Sequence, residues 1–599
     1  MKPSILSLVV LLLIVGGCKQ DSKEKNDQKP EMISEDFNAM LDAYYEDGIK
    51  LNPVQATFTG DDRYDDQFPN FLDSSHVKKV KAHFEKYKAQ LESFDDDDLS
   101  ETEQMTKEIL AWECNMNLEG MKFKKNEYMP IDQMWSVNLL MGQLASGSSA
   151  QPFETKEDYL QWVARVKGYV QWLQSAESKM REGMTQGYVL PKALVVKVLP
   201  QLKALTEANT QEHLFYSPLH KFPDSFSEAD QQEITEAYQA LIEDDVVPAY
   251  QSLVDFMESE YIESARETSG ITGIPNGKEY YDYQIKLYTT TTMTADEIHE
   301  LGLSEVARIR SEMEQIKQQV GYEGDLTSFF DYVRNNKELM PYASAEEVIA
   351  NFNAIHERMK PQLEKLFDNT PKTGFEVRRT EAFREKSASA EYNPGSLDGT
   401  RPGIFYVPIP EATKYNVYSD ESLFLHEAIP GHHYQVSLTQ ENEALPTFRK
   451  TLWYSGYGEG WALYSESLGK ELGLYTDPYQ YFGMLGAEMH RAIRLVVDTG
   501  MHSKGWTREE AIQYSLENEA ESEAAITSEI ERYMANPGQA LSYKIGQLKI
   551  RELRKKAETA LGDAFDIGQF HNEVLETGCI PLALLEDKIN RWIETQKKA

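Results

Sequence analysis

One segment of this 599-residue chain gathers the residue types that chemistry needs: Leu423-Phe424-Leu425-His426-Glu427-Ala428-Ile429-Pro430-Gly431-His432-His433-Tyr434-Gln435. A His-Glu pair followed closely by another His is a pattern in which two imidazoles hold Zn²⁺ and the carboxylate takes a proton from water that the metal polarises. The spacing departs from the usual one, because the position four residues after His426 is Pro430. Four residues turn a helix by about 400°, so imidazoles at that spacing share a face; six leave His432 about 240° round from His426; seven restore the face at His433 only after a rise of about 10.5 Å. Zinc needs each nitrogen at about 2.0–2.1 Å, so a straight helix serves neither histidine. Pro430 donates no hydrogen bond and clashes with the carbonyl of residue 426, and Gly431 opens backbone angles closed to other residues. A bulge at Pro430-Gly431 is therefore expected to return His432 to the metal side, with His433 as the alternative second ligand.

A catalytic zinc takes a third protein ligand. The next segment, Tyr457-Gly458-Glu459-Gly460-Trp461-Ala462-Leu463-Tyr464-Ser465-Glu466, offers Glu459. Glu466 follows two turns up the same helical face, where it could orient a ligand or be a solvated surface residue. The segment resembles the Glu-Gly-aromatic-Ala stretch of gluzincin aminopeptidases, whose Glu binds zinc.

The elements that must position these residues are mostly helices. Glu31–Lys50, His76–Leu91, Glu101–Asn117, Lys156–Met180, Glu228–Met257 and Ala345–Phe367 carry apolar residues at three-and-four spacing opposite charged faces. Thr294-Ala295-Asp296-Glu297 opens another helix with a capping-box pattern. Gly270–Gly277 breaks the helical texture and reads as a boundary or a structured loop. Phe375–Thr380 alternates like a strand, and Gly403–Ile409 is a short β-prone run ending at prolines. The second run lies just before the metal helix, where an edge strand would pair with an extended substrate, and Tyr406 on it is a substrate-binding candidate. Helix returns at Ser422. The expected fold class is mainly α, with a small β-sheet beside the metal helix.

His-Glu-x-x-Pro-Gly-His-His followed by Glu-Gly-Trp-Ala-Leu-Tyr resembles the bacterial domain-of-unknown-function family 885, many of whose members look like lipoproteins. That family is grouped with the zincin metallopeptidases. Asp398-Gly399-Thr400-Arg401-Pro402-Gly403, Arg494-Leu495-Val496-Val497-Asp498-Thr499-Gly500-Met501-His502 and Pro537-Gly538-Gln539-Ala540-Leu541-Ser542-Tyr543 match as well. The resemblance extends from about Asp36 to the end. It implies a helical zincin-like fold and peptide hydrolysis.

Further candidates surround the motif. Tyr543 and His502 are placed to donate a hydrogen bond to charge that develops on a substrate oxygen; the alternative for Tyr543 is a packed helix residue, and the family match favours function. His490 falls in the same window, with a core or helix-capping role as its plain reading. Arg491 and Arg494 lie one turn apart on one expected helix, with Asp498 a turn further on. A structural ion pair is the common outcome, and a clamp for a peptide carboxylate the functional one; Arg532 is another such candidate.

The chain starts with Lys2, an apolar run from Ile5 to Val15, and Val15-Gly16-Gly17-Cys18, which resembles a bacterial lipobox. That resemblance implies cleavage before Cys18 and lipid attachment to its thiol. The run is shorter than the ~20 residues that span a bilayer. Residues 19–32 are polar and read as a flexible tether. Lys+Arg is 61 and Asp+Glu is 98, a net charge of −37, so the body repels phosphate backbones and no nucleic-acid partner is expected. Three cysteines make neither a disulfide framework nor a four-thiolate zinc site; whether Cys114 and Cys579 pair is left open.

The resulting expectation is a signal peptide at 1–18, a tether at 19–32, a helical region at 33–270 and a metallopeptidase-like region at 271–599. The protein would be lipid-anchored in the bacterial cell envelope, outside the cytoplasm, touching membrane only through Cys18. Its activity would be that of a zinc-dependent hydrolase acting on short peptides, of oligopeptidase or carboxypeptidase type. His426, His432 and Glu459 would hold Zn²⁺, Glu427 would be the general base, Tyr543 and His502 would assist, and Arg494, Arg532 and Tyr406 would bind substrate. The competing reading is a non-catalytic helical envelope lipoprotein, a binding module that keeps a metallopeptidase scaffold.

Overall fold

The computed structural model describes residues 28–598 apart from 135, 382–384, 386–387 and 398–400. The expected signal peptide, Cys18 and residues 19–27 lie outside the described residues, as do Asp398, Gly399 and Thr400. Helix dominates the described residues, and the only sheet among them has three strands, so the fold is mainly α. The elements that build or brace the site, in chain order, are α1 (Gln28–Leu51), α2 (Lys156–Thr185), α3 (Ala295–Gln319), α4 (Ala345–Leu363), β1 (Phe375–Arg379), β2 (Glu391–Asn393), β3 (Gly403–Val407), α5 (Asp420–Glu427), α6 (His432–Glu441), α7 (Ser455–Ser467), α8 (Pro478–Ser503), α9 (Glu523–Ala535) and α10 (Ser542–Leu561). Helix α1 starts inside the segment expected to be a tether.

Local chemistry accounts for many of the boundaries. Thr155 with Asp158 opens α2, and Thr294 with Glu297 opens α3; in both, side chain and backbone donors are satisfied reciprocally. Several long helices bury one face, α8 is buried all round from Ala492 to His502, and a single hydrophobic core runs from Phe37 to Ile593. Helices α3 and α8 approach closely at Gly302, where a Cβ would stand 2.8 Å from Leu495 Cβ. Gly270–Gly277 is a structured loop that includes a short 3₁₀ turn at Ile271–Gly273. A Cβ on Gly270 would lie 2.0 Å from the Met501 carbonyl oxygen, so this loop lies directly on α8. The N-terminal helices are tied to the later ones by polar contacts as well: the Tyr454 hydroxyl donates to Glu113 at 2.8 Å, and Arg449 Nη1 donates to Thr106 Oγ1 at 2.9 Å. Cys114 and Cys579 are both buried free thiols and do not pair.

Strand order in the sheet is β1-β3-β2, with β1 parallel and β2 antiparallel to β3. Strand β3 is thus the central strand, which corrects the expectation of an edge. Its backbone is paired on both sides across Ile404–Tyr406, so it has no free ladder to offer an extended substrate. The missed element is β2, which sits in a stretch dense in turn formers and supplies the second neighbour.

Candidate metal centre

Helix α5 stops at Glu427, directly after His426, and α6 starts at His432. Between them Ala428 (φ −104°, ψ −102°) and Gly431 (φ −73°, ψ −131°) leave helical geometry, and the Ile429–Pro430 peptide is cis. The expected bulge within one continuing helix is therefore a full break and restart. Pro430 has no N–H to give to the His426 carbonyl, so the helical ladder ends there. Gly431 then passes so close that a Cβ would stand 1.8 Å from the His426 carbonyl oxygen and 2.3 Å from that of Leu425; only glycine fits. The buried Trp461 indole donates to the Pro430 carbonyl at 2.8 Å, pinning the turn to α7.

This break aims His432 back at His426. Their rings lie 4.8 Å apart and nearly perpendicular. Glu459, on α7, completes the group: its Oε2 is 3.6 Å from His426 Nε2 and 3.4 Å from His432 Nε2. One donor atom from each residue lies within 4.8 Å of the other two. Ligands at about 2.0–2.1 Å from one tetrahedral ion sit about 3.3–3.4 Å apart, close to the two His–Glu459 separations, so the donor set suits a three-ligand zinc site. On the far side of His426, Nδ1–H donates to Glu466 Oε1 at 2.8 Å, which fixes the tautomer and leaves Nε2 toward the cluster. Glu427 is buried beside the group. Burial pushes its carboxyl above the usual range and Glu459 adds to this, while His426, His432 and Arg491 pull the other way.

Helices α7 and α10 meet through glycines. A Cβ on Gly546 would be 1.8 Å from the Gly456 carbonyl oxygen and 2.6 Å from Gly460 Cα. This close approach carries Tyr543 of α10 into the electrostatic reach of Glu459, which, after burial, raises the phenol's pKa. The Arg494 guanidinium covers the Tyr543 ring at 4.6 Å, and Gln539 Nε2 donates to the hydroxyl at 3.4 Å.

Comparison with known proteins places the chain in a family. The family model described as bacterial protein of unknown function (DUF885) matches residues 53–589. The chain belongs to that family. A candidate lipoprotein from Colwellia psychrerythraea, known by crystal structure, superposes on this DUF885 chain with a TM-score of 0.87 at 28% identity, over 94% of this chain and 99% of its own. A candidate lipoprotein of unknown function from Shewanella oneidensis superposes with a TM-score of 0.68 at 18% identity, over 92% and 99%. No curated protein matches the chain.

The structure separates the remaining candidates of this DUF885 chain. His433, the alternative ligand, faces away from the cluster: its Nδ1 is 2.9 Å from the Tyr392 hydroxyl and its ring lies against Phe375. Burial drives its pKa down to about 4, so it is a neutral packing residue between α6 and the sheet. His502 is a correction. Its Nδ1 accepts the Ile271 N–H at 2.9 Å and its Nε2–H donates to the Tyr533 carbonyl at 3.0 Å. Both ring nitrogens are spent on backbone and the side chain is fully buried, so it is a brace and has nothing left for a substrate oxygen. Arg494 and Arg532 are also corrected. Both pair with Glu529 at 3.0 Å; Arg494 Nε donates to the Tyr533 hydroxyl and Arg532 Nη1 to Gln539. They form a buried network under Tyr543. His490 belongs to the same network, through Glu519 at 2.5 Å and Glu529 at 3.5 Å. Tyr406 lies on the central strand opposite Glu391 and Arg378, so no free backbone edge accompanies it.

Sequence reasoning did not single out Trp461 or Trp453. Trp453 is 46% exposed, packs over Gly458 and stands 5.7 Å from the His432 ring. Its signal was a tryptophan five residues before Gly458, too common a pattern to act on. Two surface cavities, one lined by Gln133, Lys197 and Glu531 and the other by Asn38, Gln440 and Lys450, involve none of the clustered residues.

Proposed function

We propose that the chain is a zinc-dependent hydrolase that cleaves short peptides. The observation that carries this reading is the convergence of His426, His432 and Glu459 on one point, with Glu427 buried beside it and Glu466 holding His426 from behind. Zinc held there supplies a Lewis acid that polarises a carbonyl and makes water a nucleophile near neutral pH. Glu427 takes the proton of the attacking water on its carboxylate and passes it to the leaving amine; its raised pKa suits both halves of that transfer. The Tyr543 hydroxyl, kept protonated by burial, donates to the substrate oxygen as it gains charge. The Arg494 and Arg532 network holds the phenol ring in place.

The N-terminal segment ending in Cys18, together with the two structural relatives described as candidate lipoproteins, supports a lipid-anchored protein of the bacterial envelope.

Metal content and turnover test the activity together. Protein without residues 1–18 is expected to hold about one zinc per chain, lost in His426→Ala. Glu427→Gln should keep the zinc and lose about 10²–10⁴-fold in kcat on a peptide library. Turnover unchanged in Glu427→Gln would remove the assigned base. Failure to take up zinc would leave the binding-module reading.

A further inference from the structure

Helix α8 carries a stripe of polar residues through the core: Glu488, Arg491, Arg494, Asp498 and His502. At 100° per residue these fall within roughly a third of the helix circumference. Four of them bind side chains or backbone of other elements, although Arg494 Nη1 is also buried without a partner. Glu488 takes Lys544 at 2.6 Å and Arg308 at 2.8 Å. Arg494 takes Glu529 and Tyr533. Asp498 accepts the Tyr281 hydroxyl at 2.6 Å and the Gly538 N–H at 3.1 Å. His502 takes Ile271 and Tyr533.

Arg491 is the exception. Its hydrogen bond runs from Nη1 back to the Ala487 carbonyl of its own helix at 3.2 Å, and its Nε is buried with no partner. Among the described residues no carboxylate lies within ion-pairing distance of it. It sits one turn before Arg494, whose guanidinium covers Tyr543, and its field reaches Glu427. An uncommitted guanidinium therefore stands on the face of α8 that looks toward the candidate base and the candidate phenol. A half-buried arginine left without a counter-ion is prepared for an anionic ligand, and its forked donors suit a carboxylate.

We propose that Arg491 binds the free C-terminal carboxylate of a peptide substrate, making the centre carboxypeptidase-like in its choice of peptides. This rests on the reading of the centre as a peptide hydrolase. It reassigns the carboxylate clamp from Arg494 and Arg532, which share Glu529, to the neighbour that forms no ion pair among the described residues.

The test is equilibrium binding of a neutral tetrapeptide and its C-terminal amide, both N-methylated at the peptide bonds against cleavage, to the zinc-loaded protein and to the protein stripped of metal, with cleavage of the unmodified acid followed alongside. The free acid should bind at least about tenfold tighter than the amide, in keeping with a charge-assisted pair. Arg491→Gln should erase that preference while binding the amide and zinc as before, and Arg491→Lys should retain part of it. Equal affinity for acid and amide in the native protein would overturn the proposal. So would a preference that survives Arg491→Gln and disappears on metal removal, because the carboxylate would then be going to the metal. Equal weakening of both peptides by Arg491→Gln would assign the residue to Glu427 alone and overturn it as well. Carboxylate preference without any cleavage would remove the hydrolase reading and leave the role of Arg491 in place.

Discussion

At His426 the nitrogen turned away from the cluster is held by Glu466 at 2.8 Å, and the second oxygen of that carboxylate is buried without a partner. The pair is oriented for one purpose: with Nδ1–H committed, Nε2 keeps its lone pair toward Glu459 and His432. His432 lacks such a partner, since its Nδ1 is buried and unpaired. The two histidines therefore differ in how firmly they are held. Glu466→Gln keeps the shape and removes the charge behind His426. Zinc affinity, measured by chelator competition, is expected to fall about 10–100-fold in that variant with the fold unchanged. Unaltered affinity would show that His426 is positioned by packing alone. Glu466 was legible in the sequence as a residue two turns above Glu459, although a solvated face was an equal reading there. Its burial at 2% exposure is what separates the two.

Among the elements, α8 does the most bracing, and His502 near its end shows the cost of being so deeply built in. The imidazole joins the loop at Ile271 to the end of α9 through two backbone hydrogen bonds, and burial lowers its pKa to about 3. His571 is held likewise, its Nδ1–H donating to the Leu366 carbonyl and its Nε2 accepting from Tyr464, with a pKa lowered to about 3 by burial. Both rings stay neutral in the folded protein and take up a proton only on unfolding. Below about pH 6.5 the unfolded chain therefore binds more protons, and stability falls as pH drops toward 3, by up to about 1.4 kcal/mol per pH unit for each histidine. His502→Gln offers a donor and an acceptor without titrating. Its unfolding midpoint is expected to fall less than the native protein's between pH 7 and pH 5, read by thermal or urea unfolding at both. An identical fall in both proteins would mean that His502 takes no part in acid sensitivity.

The molecule as a whole has a core continuous from Phe37 to Ile593 and a net charge of −37. Among the described residues no helix is long and apolar enough to cross a membrane. An acidic body is repelled by anionic lipid, so under the proposed lipoprotein reading membrane attachment would rest on the segment before α1. Cys18→Ser is expected to move the protein from the membrane fraction to the supernatant, with zinc content and unfolding midpoint unchanged, because the core begins well beyond residue 18. Retention in the membrane fraction would point to another anchor. By itself the sequence determined the helical class, through apolar spacing and capping pairs, and it named the donors, because residue type sets what an atom can ligate. It also required that Pro430 and Gly431 interrupt the helix, since no straight helix brings His426 and His432 to one ion. Only the tertiary structure decided that the interruption is a complete break, that His432 rather than His433 turns inward, that β3 is a central strand, and which arginine remains uncommitted. Those outcomes depend on what packs opposite each residue: Trp461 on the turn, the sheet against His433, β2 beside β3, and Glu529 between Arg494 and Arg532. Such partners lie far apart in the chain, and local spacing carries no record of them.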